Sequence, residues 1–141
     1  DTYKGIYIYD KERNLRLGPD FPFLSIDRIN SKSTNTGGRL KKMIRFLKNI
    51  KADSEQLIDL SSFDINAICY DISVDEYKDS HYIDLVRVLW LKLWHLCNND
   101  SEMDKLKSVD GSESIFMYKN AKKENLKRLE REVWNIYNEI K

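Results

Sequence analysis

The chain has 141 residues, a formal net charge of +1 and 33% charged residues against 41% apolar ones, a balance typical of one soluble globular unit. Near-neutral charge excludes a generic polyanion binder, and no run of about eighteen apolar residues is present to span a membrane. Two cysteines and two histidines, none at metal-ligand spacing, exclude a disulfide scaffold or a zinc module.

The N-terminal DTYKG has neither a basic start followed by an apolar stretch nor an initiator Met, so it reads as the start of a fragment or a processed chain rather than a signal peptide. Residues 5-GIYIYD-10 alternate as a half-buried strand does. KERN reads as a turn and 15-LRL-17 as a short return strand, which predicts a small hairpin ended by Gly18-Pro19. Residues 21-FPFLSIDRIN-30 are apolar without a clear period, and 31-SKSTNTGG-38 reads as a loop feeding a helix.

The first predicted helix runs from about Gly38 to Ala52, with Leu40, Met43, Ile44, Leu47 and Ile50 on one side. At about 100° per residue, Lys41, Lys42, Arg45 and Lys48 fall within roughly 120° on the other. A second helix starts near Ser61 or Ser62, where Ser61 and Asp64 have capping-box spacing, and buries Ile65, Ile68, Cys69 and Ile72. A third, about Tyr82 to Cys97, is apolar nearly all round, which predicts a central helix and a core around Trp90 and Trp94. A short helix near Glu102–Val109 follows, then an Asp110-Gly111 turn. A last helix from about Ala121 to Ile140 carries one apolar stripe. The expected fold is therefore mainly α, a bundle of four to five helices with a small N-terminal β-hairpin. Cys69 and Cys97 lie in apolar helical runs, the usual setting of inert reduced thiols, so a reducing cytoplasm is expected.

Charge is unevenly spread. Residues 1–60 hold 12 Lys/Arg against 8 Asp/Glu, residues 61–141 hold 12 against 15, and the excess lies largely on the first helix. That cationic face is either a solvated outer face or an anion grip. Three features favour the grip: few interspersed acids, paired glycines at the helix start, and a following helix that opens with Ser61, Ser62 and Phe63. A nucleotide's phosphates would suit the cations and hydroxyls, and Phe63 would stack a base. Ser61 or Ser62 reads equally as a plain N-cap and Phe63 as a core residue. No phosphate loop, nucleophile elbow or metalloprotease motif occurs. Asp71, Asp75 and Glu76 read as solvated carboxylates at a helix end.

The runs TNTGGRLKKMIRFLKNIK and LSSFDINAICYDI resemble the C-terminal helical half of nucleotidyltransferases of the oligoadenylate synthetase and cyclic GMP-AMP synthase type, whose bacterial members make cyclic oligonucleotides in anti-phage defence. The link 21-FPFLSIDRIN-30, the apolar helix 82-YIDLVRVLWLKLWHLC-97 and the loop 108-SVDGSESIF-116 are similar as well. The resemblance implies that residues 21–141 form the helical nucleotidyltransferase domain and residues 1–20 the end of the catalytic-lobe sheet or a hairpin. It implies an enzyme only as part of a longer chain, with magnesium held by carboxylates of an N-terminal catalytic lobe this segment lacks. ATP, GTP or another nucleoside triphosphate is the implied substrate. Arg45 falls at a basic position that reaches the triphosphate, Ser62 at a phosphate-contacting hydroxyl, and Phe63 at a base-stacking aromatic. Lys41, Lys42 and Lys48 match as generally basic positions, and the implied nucleotide-binding set is Lys41, Arg45, Lys48, Ser62 and Phe63. The alternatives are a helical protein-interaction module docking an acidic regulatory protein, and an RNA-binding bundle.

Overall fold

The computed structural model describes residues 6–10, 15–20, 22–78 and 81–141. Its body is a helical bundle of six helices among the described residues: α1 (Pro22–Asn35), α2 (Arg39–Asp53), α3 (Ser62–Tyr70), α4 (Tyr82–Cys97), α5 (Asp100–Lys105) and α6 (Asn120–Ile140). That is more than the four to five expected, and α1 is the difference. Ahead of it, Ile6–Asp10 and Leu15–Asp20 run antiparallel, but the residues that would join them, 11–14, lie outside the described residues. The small hairpin expected there is not supported as part of this fold.

α1 replaces the predicted link and loop. Proline suits the first helical position because its fixed φ matches and its missing N–H had no partner there anyway. The weakly periodic remainder is held by distant groups. Arg28 Nη1 donates to Val109 O at 2.8 Å, Lys32 donates to Tyr70 O and lies 4.7 Å from the Tyr70 ring centroid, and Ile29 packs against the core. The chain then turns into α2 through Gly37 and Gly38, at φ 63° and 83°. Gly38 has open space where a Cβ would stand, so the backbone angle, not a close approach, requires glycine there.

α2 buries the five apolar residues its period marks, and α3 packs beside it. Ser61 Oγ accepts from Asp64 N at 3.2 Å while Asp64 Oδ2 accepts from Ser61 N at 2.9 Å, the reciprocal cap the spacing predicted. A 3-10 turn at Val74–Tyr77 buries Tyr77, whose hydroxyl donates to Cys69 O at 2.7 Å. Asp71 at the end of α3 is exposed but pairs with Lys92.

α4 is central, and its buried residues are Leu85, Val86, Leu89, Leu93 and Leu96. The core is centred on these leucines rather than on the tryptophans. Leu91 and Trp94 are each 47% exposed, because α4 is left uncovered on one side. Trp90 is half-buried, lies against Trp134 with ring centroids 4.5 Å apart and planes tilted by 37°, and donates from Nε1 to Glu130 Oε2 at 2.9 Å. Those contacts join α4 to α6, which packs along it as its single stripe predicted.

Between α5 and α6 the Asp110-Gly111 turn forms as expected, with Gly111 at φ 76°. Asp110 Oδ1 accepts from Ser108 Oγ at 2.6 Å and from Ser112 N at 3.0 Å. Just before α6, Tyr118 has φ 61° and is 93% exposed. For a side chain that cannot bond its own backbone, that conformation costs about 1–2 kcal/mol.

Burial pushes both thiols up, Cys69 well beyond the ordinary range and Cys97 to about 12, with Glu130 adding to the shift at Cys97. Thiolate is the reactive form, so neither cysteine is expected to label with a disulfide reagent at neutral pH until the protein is unfolded. Rapid labelling of both thiols in the native protein would contradict the burial of Cys69.

Candidate functional site

The α2 cations separate once the neighbours are in place. Lys42 turns toward α4, with its Nζ 5.8 Å from the Tyr82 ring centroid. Lys41, Arg45 and Lys48 stay within about 60° of one another around the helix. Lys41 and Arg45 are exposed, and neither side chain makes an ion pair among the described residues. Lys48 is half-buried, close enough to Cys69 on α3 to favour its thiolate slightly. Of the three, Lys48 lies nearest α3, while Lys41 stands beside the α1–α2 turn.

At the start of α3 the two serines take different roles. Ser61 is the N-cap, which leaves the exposed Ser62 hydroxyl without a protein partner among the described residues. Phe63 is half-buried and packs against the core, so only part of its ring is open. One turn beyond Ser62 and on the same side, Asn66 is half-buried; its Oδ1 is shielded from solvent and has no hydrogen-bond partner among the described residues. A buried acceptor left this way costs about 1–3 kcal/mol. Its only sequence signal is a polar residue of low helix propensity inside a short apolar helix.

The glycine-rich start of α2 does something other than hold an anion. A hollow of about 500 Å³ lies there, lined by Asn30, Ser33, Thr34, Gly37, Gly38 and Lys41. The backbone donors facing it are already taken. Leu40 N donates to Thr36 Oγ1 at 3.1 Å, Lys41 N to Ser33 Oγ at 3.4 Å, and Gly38 N to Ser33 O at 2.7 Å. The paired glycines belong to the α1–α2 turn, and the free donors of the site are side chains.

α6 adds a part that sequence spacing gave no hint of. Lys122 Nζ donates to Asp64 Oδ1 at 2.8 Å, with the carboxylate side chain only 1% exposed. This pair brings the first turn of α6 against the first turn of α3. No group of three or more His, Cys, Asp or Glu side chains comes together among the described residues.

Residues 27–138 match the family model of the cGAS/DncV-like nucleotidyltransferase C-terminal helical domain. The chain belongs to this family. The chain is 54% identical over 139 residues to a c-di-GMP synthase of Capnocytophaga granulosa, covering 98% of this chain and 40% of that protein. It is 53% identical over 137 residues to a c-di-GMP synthase of Lachnospiraceae bacterium (strain RUG226), covering 97% and 39%. The chain therefore spans about two-fifths of the length of the curated relatives it matches, within their C-terminal part. Among solved structures it superposes on the STING-associated CdnE c-di-GMP synthase from Capnocytophaga granulosa with a TM-score of 0.91 at 54% identity, over 99% of this chain and 46% of that one. A CdnE cyclic dinucleotide synthase from Elizabethkingia meningoseptica, 20% identical with a TM-score of 0.73 over 94% of this chain and 49% of that one, shares the fold.

Proposed function

We propose that this domain forms one wall of the nucleotide cleft in a metal-dependent nucleotidyltransferase that joins guanosine nucleotides into a cyclic dinucleotide. Arg45 and Lys41, with Lys48 beside them, draw in the triphosphate, Ser62 donates to a phosphate oxygen, and the open part of Phe63 stacks the base. The observation that carries this reading is the pair of uncommitted groups, the unpaired Arg45 guanidinium and the Ser62 hydroxyl that Ser61 leaves free by taking the cap.

Residues 21–141 are the helical domain in this reading, and residues 1–20 the end of the catalytic-lobe sheet or a hairpin leading from it. Magnesium is held by carboxylates of the N-terminal lobe, and exposed Phe23 and Ile26 on α1 give that lobe an apolar face to meet. A role in antiviral defence signalling is supported by the similar c-di-GMP synthases, one of them STING-associated. No helix of the described residues is long and apolar enough to cross a membrane, and the thiols suit a cytoplasmic setting.

In the full chain, Arg45→Ala and Ser62→Ala are each expected to weaken GTP binding about 10-fold or more by calorimetry, the scale of a lost charge-assisted hydrogen bond. Unchanged affinity in both variants would sink the reading. RNA binding with a steep salt dependence would support the RNA-binding alternative, and binding of neither nucleotide nor RNA would leave the protein-interaction module.

A further inference from the structure

Tyr118 is the residue whose placement neither packing nor backbone preference explains. Its φ of 61° lies in the left-handed region, where glycine is at home and an aromatic is not, and its ring is 93% exposed. The flanking chain is firmly held on both sides. Ile115 and Phe116 are wholly buried, Lys119 N donates to Phe116 O at 2.9 Å, and Lys119 Nζ donates to Ser114 O at 3.0 Å. A well-anchored bend thus holds a large aromatic ring out in solvent.

The bend leads into the start of α6. There Lys122, in the first turn of that helix, grips Asp64 at 2.8 Å, and Asp64 accepts from Ser61 N beside Ser62 and Phe63. Tyr118 precedes by two residues the end of α6 that is pinned to the opening of α3. Phe63 lends only part of its ring, since it also packs on the core.

We propose that Tyr118 is the second aromatic wall of the nucleobase site, closing over a purine base whose other face rests on Phe63. The inference rests on the nucleotide-cleft reading above and adds a base contact to its phosphate contacts. Stacking is tolerant of base identity, so Tyr118 contributes affinity for the base, and its phenol supplies a donor that Phe63 lacks.

The test uses the full chain and two probes, GTP and inorganic tripolyphosphate. Tyr118→Gly is expected to weaken GTP binding about tenfold, leave tripolyphosphate binding unchanged and leave Tm no lower than that of the parent, because glycine suits this backbone. Tyr118→Phe keeps the ring and is expected to bind GTP within about twofold of the parent. Arg45→Ala weakens both probes. If Tyr118→Gly leaves GTP affinity intact while Arg45→Ala lowers it, the second wall is wrong and the cleft stands. If neither variant changes GTP affinity, the cleft reading itself fails. A fall in Tm with equal loss of both probes would assign Tyr118 to packing against the rest of the enzyme and overturn the proposal.

Discussion

Leu89→Ala is expected to lower the unfolding free energy by about 3–4 kcal/mol. Leu89 is 0% exposed on α4, in one stripe with Leu85 and Leu93, and α4 packs on α2, α3, α5 and α6. With neighbours held by four other helices, the space left by the side chain cannot close, so the lost transfer energy and the cavity cost add. For a chain of this length that shift should lower Tm by roughly 10 °C. Leu91→Ala, two residues along the same apolar run, removes a side chain that is 47% exposed and should change stability by no more than about 0.5 kcal/mol. Urea titrations followed by circular dichroism compare the two directly. Equal losses would mean that α4 is covered on all sides, against the arrangement described above.

Lys122→Ala is expected to cost about 2–3 kcal/mol, an unusual penalty for removing a partly exposed lysine. Most surface ion pairs contribute less than about 1 kcal/mol. Here the partner is different, because the Asp64 side chain is only 1% exposed and its other oxygen already accepts from Ser61 N. Removing the ammonium leaves a buried carboxylate with half its solvation missing, and breaking one side of such a pair is what costs most. The same argument predicts partial rescue. In the Lys122→Ala background, Asp64→Asn keeps an oxygen for Ser61 N without a buried charge and should recover part of the loss. A Lys122→Ala protein as stable as the parent in chemical denaturation would show that water reaches Asp64 freely.

The same residues show how far a linear reading reached into this fold. The buried side of α2 was readable because Leu40, Met43, Ile44, Leu47 and Ile50 repeat with the helix, and the start of α3 because Ser61 and Asp64 meet across three residues. α1 was missed because its own pattern is weak and its anchors, Val109 and Tyr70, lie 81 and 38 residues away. Trp94 was misplaced because an apolar run does not say which of its sides a neighbour covers. Within the candidate site, a linear reading found the cations and hydroxyls but could not divide their duties. Tyr82 draws Lys42 aside, Ser61 takes the cap that frees Ser62, and the α2 glycines are used in a turn.

Periodicity, capping chemistry and the bias of charge toward α2 are local properties, set by residues within about one helical turn of each other, and they needed no coordinates. The Lys122–Asp64 clasp across 58 residues, the exposure of Trp94 and the left-handed, exposed placement of Tyr118 came only with packing. They depend on which faces meet after the chain has closed long loops, and spacing along the chain carries no record of that choice.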